Sequence, residues 1–182
     1  MAPSGQRTAP ALDELLRGGK LAGDWTLDAS RSQIRLRSKS MWGLAPVKGV
    51  FGKVSGGGAV SAAGQVTGRI TVDAASIDTR NKKRDEHLRS ADFFDAANHP
   101  SIAFTVDGIS PSAQGVTVTG SLTVRGRTRP QSFDAKVSTF DNEAWLDAEV
   151  QVNRADFGLT WNQMGMTSMN NTITVHAVFT RQ

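Results

Sequence analysis

The side chains best suited to chemistry lie between Ser76 and Pro100. Arg84-Asp85-Glu86-His87 places a carboxylate two residues before an imidazole. A histidine acting as a base needs an orienting acceptor within hydrogen-bond reach. On a helix, residues i and i+2 do not face one another, so Asp85 is badly placed to orient His87. No Ser or Cys stands in a nucleophile-elbow pattern. His87, His99 and Asp92 or Asp95 are metal-ligating types, but His-x4-Asp-x6-His fits no common ligand spacing. The chain has 3 histidines, the third being His176, and no cysteine, which excludes disulfides, thiol chemistry and a Cys-built zinc site. We therefore expect no catalytic residue and no metal here. Arg84 and Asp85 are read as ion-pairing and capping groups, and His87 as a hydrogen-bonded structural residue.

The same stretch is the one long interruption in a strand pattern. Before it, Val66, Gly68, Ile70, Val72 and Ala74 alternate with polar residues; after it, Ile102, Phe104 and Val106 do the same. Asp78 or Thr79 reads as a helix N-cap and Ser90 as a second cap, and Pro100 ends the excursion. A charged helical insert over about 79–96 that carries Leu88, Phe93 and Phe94 has the composition of a lid: polar outward, apolar over one end of a β-structure.

The flanking chain supplies that β-structure. Ile34, Leu36, Ser38 and Ser40 share one strand face opposite Gln33, Arg35, Arg37 and Lys39. Met41-Trp42-Gly43-Leu44-Ala45-Pro46 is an apolar turn, with Trp42 expected at a rim, and Val47 to Phe51 is the next strand. Gly56-Gly57-Gly58 reads as a hairpin tip and Ser110-Pro111-Ser112-Ala113-Gln114-Gly115 as a turn. Val116, Val118, Leu122 and Val124 share a face, as do Phe133, Ala135 and Val137, then Leu146, Ala148 and Val150, and finally Ile173, Val175, Ala177 and Phe179. About eight strands at hairpin spacing make an all-β, antiparallel sheet that closes into a barrel and so removes its edges. Small inward residues (Ser38, Ser40, Gly68, Ala74, Ala135, Ala148, Ala177) are expected to leave room inside. Ahead of the barrel, Leu12, Leu15 and Leu16 form one face of a short helix stopped by Gly18-Gly19. The division expected is an N-terminal extension, 1–22, and a barrel domain, 23–182.

Several runs carry a resemblance. Ser-Ile-x-Thr-x-Asn-x-x-Arg-Asp-x-His-Leu-x-Ser-x-Asp-Phe-Phe-Asp from Ser76, then Gly120-x-Leu-Thr-x-Arg-Gly-x-Thr-x-Pro and Arg154-x-Asp-Phe-Gly-Leu, are similar to markers of the YceI family. The resemblance spans Trp25 to Phe179. It implies a lipocalin-like barrel that binds a polyisoprenoid or another long amphipathic lipid. Arg31 and Ser40 stand where the family often has histidines, so no role of those histidines carries over. The expected lumen and mouth residues are Ile34, Leu36, Ser38, Trp42, Phe51, Ile70, Val72, Leu88, Phe93, Phe94, Phe104, Leu122, Phe133, Leu146, Val150 and Val175. No cofactor is expected beyond a bound isoprenoid lipid or isoprenoid quinone. An enzyme using His87 or Asp85 on a small apolar substrate, and an interaction module with a filled lumen, are the alternatives.

The 182 residues suffice for one domain with a sizeable core. No apolar run approaches the roughly 18 residues of a membrane-spanning helix and no secretory pattern opens the chain, which reads as cytoplasmic. Net charge is +4, and no acidic residue falls between Asp28 and Asp73 while Arg31, Arg35, Arg37, Lys39, Lys48, Lys53 and Arg69 do. Transient contact with an anionic membrane fits that run. Nucleic acid does not, since no binding motif or aromatic stacking platform accompanies it. A homodimer is the commonest assembly for such a chain.

Overall fold

The computed structural model describes residues 11–40, 46–113, 115–161 and 167–182, without the side chains of Ser40 and Thr167. The strands are β1 (Gly23–Leu27), β2 (Gln33–Ser40), β3 (Val47–Phe51), β4 (Val54–Val60), β5 (Val66–Asp73), β6 (Ile77–Asp78), β7 (Ser101–Ser112), β8 (Gly115–Val124), β9 (Arg127–Phe140), β10 (Glu143–Asn153) and β11 (Thr167–Arg181). Helix α1 is Leu12–Arg17 and α2 is Lys82–Arg89.

These segments occupy eight positions in a closed antiparallel barrel. The ring runs β1-β4-β5-β7-β8-β9-β10-β11 and closes where Leu27 of β1 pairs with Phe179 of β11. β2, β3 and β6 extend the first three positions beyond local breaks: β2 pairs with β11, β3 with β2, and β6 with β3. Two of the breaks have a local cause that the hydrogen bonds show. Between β1 and β2, the Asp28 carboxylate accepts from the Ser30 N–H (3.0 Å) and hydroxyl (2.6 Å), a turn that competes with the ladder. Ser32 Oγ then accepts from the Val178 N–H at 3.0 Å, so Val178, on the outer face by alternation, is buried beneath the bend. Between β5 and β6, Asp73 caps a 3₁₀ turn, Ala74–Ser76, by accepting from the Ala75 N–H.

Three expectations need correction. Gly56, Gly57 and Gly58 are not a hairpin tip but the middle of β4, paired with β1 and β5. An added Cβ would come within 2.5 Å of the Arg69 carbonyl oxygen at Gly56 and 2.7 Å of that of Trp25 at Gly57, so these glycines permit close strand approach. The tip lies at Ser61–Gln65. Pro111 belongs to β7, paired with Val116, so the strand runs on to Ser112 and β8 starts at Gly115. The insert is helical over Lys82–Arg89 alone, followed by hydrogen-bonded turns. Its N-cap is Asn81, whose side chain accepts from the Arg84 N–H at 3.0 Å. Asp78 and Thr79 are engaged elsewhere: Asp78 accepts from the Arg80 N–H, and Thr79 bonds to Asp85.

Candidate ligand-binding site

Alternation turns one face of every strand inward, and these faces enclose a cavity of about 700 Å³. Ile34, Leu36, Ser38, Phe51, Ile70, Val72, Leu88, Phe93, Phe94, Phe104, Leu122, Phe133, Leu146, Val150 and Val175 all line it. Trp42 lies outside the described residues. Leu36, Ile70, Leu122, Leu146 and Val175 face the lumen yet are only partly buried, because their free surface is cavity wall. Side chains do not fill this barrel. Of the small residues expected to make room, Ser38 and Gly68 line the space. Ala74, Ala135, Ala148 and Ala177 are buried in packed surroundings instead, at 0–8% exposure. Room comes also from the glycine wall, where Gly57 and Gly58 face the cavity beside Gly68.

The two ends are closed by different chemistry. At one end Leu16 of α1 packs with Leu21 and Trp25, joined by Leu12, Leu15, Val60, Val66, Ile109 and Phe179. Trp25 Nε1 donates to the Leu21 carbonyl (2.9 Å), and the Arg181 guanidinium lies over the indole at 5.6 Å while donating to the Lys20 carbonyl (2.7 Å). Three leucines at helical spacing thus pack on the barrel itself.

At the other end a polar clamp holds α2. The Asp85 carboxylate accepts from the Thr79 N–H (2.9 Å) and hydroxyl (2.5 Å). Arg84 donates from Nε to Thr79 Oγ1 and from Nη2 to the Thr79 carbonyl, both at 2.8 Å. Arg84 and Asp85 therefore meet through Thr79 rather than in ion pairs. Arg89 donates to the carbonyls of Ala75 (2.8 Å) and Ile77 (3.1 Å). Below the clamp, Phe93 and Phe94 join a core with Phe51, Ile77, Phe157 and Leu159. This is the lid arrangement: α2 outside, its apolar followers inside.

His87 borders the cavity, and its Nε2 is 2.9 Å from Asp92 Oδ2. Its ring sits edge-on to Trp161 (centroids 4.3 Å apart) and to Phe93 (5.2 Å). Asp92, not Asp85, is its carboxylate partner. Among the described residues no three His, Asp or Glu side chains gather as a metal site, and His99 pairs only loosely with Asp95 at 4.0 Å.

Sequence reasoning missed a group at the same end. Arg154, Phe157, Leu159 and Trp161 also line the cavity. Arg154 donates to the carbonyls of Leu159 (2.9 Å), Trp161 (2.7 Å) and Ser168 (3.1 Å), and its guanidinium is 5.5 Å from the Phe93 ring centroid. Burial pushes its pKa down. The 3₁₀ turn Arg154–Phe157, stopped by Gly158 at φ 76°, was legible as a turn; that the turn folds back over the lumen was not.

Ser38, Asn81, Lys83, Arg84 and Asn171 touch the cavity on the side of β2 and α2; beyond these, His87 and Arg154, the polar lining side chains Thr67, Arg69, Gln131 and Thr139 are spread along β5 and β9. A chamber of this kind has room for an apolar chain and carries charged side chains on the side of α2.

A profile of the YceI-like domain matches residues 25–180. The chain belongs to the YceI-like family. It is 32% identical over 96 residues to Protein YceI of Escherichia coli, a match covering 50% of each chain. It is 29% identical over 156 residues to a UPF0312 protein of Serratia proteamaculans, covering 80% of this chain and 81% of that one. The chain spans about half the length of the Escherichia coli relative, at 50%. Among solved structures, Burkholderia cenocepacia BcnA superposes with a TM-score of 0.76 at 24% identity, covering 84% of this chain and 98% of that one. A polyisoprenoid binding domain from Saccharophagus degradans gives 0.70 at 18%, covering 87% and 98%. At these identities the likeness is one of fold.

Proposed function

We propose that the protein binds a long-chain polyisoprenoid or a similar amphipathic lipid in its lumen, and thereby sequesters or carries it. The observation behind this reading is the unfilled apolar cavity of about 700 Å³, walled by partly buried inward residues. At about 30 Å³ per small group, that space holds on the order of twenty methylene-sized units. Ten of them buried would contribute about 8 kcal/mol gross at 0.8 kcal/mol each, before ordering costs. Such a site needs no strong polar contact along the chain. The tail would run toward Trp25 and α1, with the polar head near Asn81, Lys83 and Arg84. The Saccharophagus degradans domain, a polyisoprenoid binder of the same fold, supports the ligand class.

Native mass spectrometry of gently purified protein, followed by denaturing extraction, tests the reading. A bound mass that passes into organic solvent is the expected result. Delipidated protein should then bind a fluorescent prenyl analogue saturably; absence of saturable binding would overturn the proposal. The His87–Asp92 pair at the cavity wall favours the enzymatic alternative, and His87→Ala separates the two. Lost turnover with an intact fold would support catalysis. Earlier melting with prenyl binding retained assigns His87 to packing.

A further inference from the structure

We infer that the face built by β2, β3 and α2 docks on an anionic lipid bilayer, with the polar end of the cavity turned toward it. Arg35, Arg37 and Lys39 on β2, Lys48 on β3 and Lys82 and Lys83 on α2 are all exposed. Arg37 stands directly opposite Lys48 in the antiparallel register. Like charges in that position destabilise a strand pair. On its other side Arg37 meets Thr172, and Arg35 lies between Val50 and Thr174, so the neighbouring positions offer no carboxylate. The acids on the adjoining elements are Asp78, whose side chain accepts from the Arg80 N–H, Glu86, and Asp85, which is turned inward onto Thr79. Glu149 of β10 stands across Thr174 from Arg35, whereas the row of Arg37 and Lys48 holds only Thr172 and Gln151, and such a cationic surface is complementary to an external anion.

The position of this face specifies the partner. Ser38 of β2, Val47 of β3 and Lys83 and Arg84 of α2 line the cavity, so the cationic strands and the cavity's polar end share the same elements. A lipid leaving a bilayer on this side would enter the lumen without carrying its apolar chain through bulk water. Nucleic acid would use the charge but have no use for the cavity. The inference rests on the lumen reading for its purpose alone; a vesicle assay reads docking and a prenyl titration reads the lumen, so each can fail separately.

The experiment is co-sedimentation of the full chain with vesicles of phosphatidylcholine, with or without phosphatidylglycerol, at low and high salt. Binding should require phosphatidylglycerol and fall with salt. Arg37→Gln with Lys48→Gln should lower the partition coefficient roughly 25-fold, at about fivefold per cation. Prenyl binding should hold, since neither side chain lines the cavity, and the melting temperature should stay level or rise as the Arg37–Lys48 repulsion is removed. Arg17→Gln with Lys136→Gln removes the same charge from exposed positions elsewhere and should leave the partition unchanged. Equal binding to neutral vesicles would overturn the inference. So would equal losses in the two double variants, or equally strong, equally salt-sensitive retention on double-stranded DNA.

Discussion

Replacing Asp85 by Ala tests whether α2 is held by the clamp on Thr79. Asp85 is 6% exposed and Thr79 5%, and one carboxylate oxygen accepts both Thr79 donors. Hydrogen bonds to a charged group contribute roughly 1.5–3 kcal/mol each, and a buried donor left without an acceptor adds its own penalty. Partial rescue by water, the Thr79 hydroxyl's freedom to rotate and the bond it keeps from Arg84 reduce the sum to about 3 kcal/mol. For a chain of this size each 1 kcal/mol shifts Tm by about 2–4 °C, so Asp85→Ala should melt roughly 6–12 °C lower. Asp85→Asn keeps an acceptor oxygen and should lose less than half of that. Thr79→Val removes the shared hydroxyl, and the double-mutant cycle should show coupling of about 1–2 kcal/mol between the two positions. Because Leu88, Phe93 and Phe94 line the cavity, loosening α2 should also speed release of a bound prenyl probe. Differential scanning calorimetry and stopped-flow release measure the two effects. An Asp85→Ala protein that melts within about 1 °C of the parent, or a cycle with no coupling, would refute the clamp.

Leu146 faces the lumen, so Leu146→Trp should displace about two methylenes of ligand and weaken prenyl binding roughly 15-fold at 0.8 kcal/mol each, with the fold retained in circular dichroism; unchanged affinity would place the tail elsewhere. Gly58→Ala should be strongly destabilising, since its Cβ would meet the Thr67 carbonyl, whereas Gly108→Ala has open space and should melt near the parent; equal melting temperatures would contradict the close strand approach. Hydrogen bonds from Ser30 and then Arg31 lower the Asp28 pKa from 3.8 to about 2, and Arg31 followed by Trp145 lowers that of Glu143. Both folded-state values are depressed, so their contribution to stability is present above the ordinary carboxylate range and is lost as pH falls through the depressed values, about 2 in the case of Asp28. Carboxylate NMR titration of Arg31→Ala should return both groups toward ordinary values, and unmoved titrations would refute the pairing.

The walls were legible because a strand has period 2 and one wet face. Ile34 and Leu36 against Arg35 and Arg37 announce which side turns inward, and every expected wall residue whose side chain is described does so. The exceptions have local causes. A register shift between Val106 and Gly108 brings Ile109 onto the cavity despite its odd spacing from Val106. Val178 is buried because the β1–β2 bend crosses its outer face, a contact between residues far apart in sequence. The triple glycine imitates a turn by composition; its actual cause, the approach of the Trp25 and Arg69 backbones, exists only once the strands are paired.

The ends were harder to read than the walls because they are made where periodicity stops. Trp25 announces a strand face, but its indole becomes part of a plug only because Leu16 and Leu21 arrive from outside the barrel. Trp161 carries no alternation signal; Arg154 holds its carbonyl and so brings it against His87. In both cases an arginine spends its donors on backbone carbonyls of a non-repeating segment, Arg181 at one end and Arg154 at the other. Segments without a ladder of their own must satisfy their carbonyls in some other way. Isolated arginines beside a strand terminus are thus a sequence sign of a folded-back cap, although the segment each one grips is decided in three dimensions. The aligned hydrophobic faces set the volume of the chamber, while these gripped segments close its two ends.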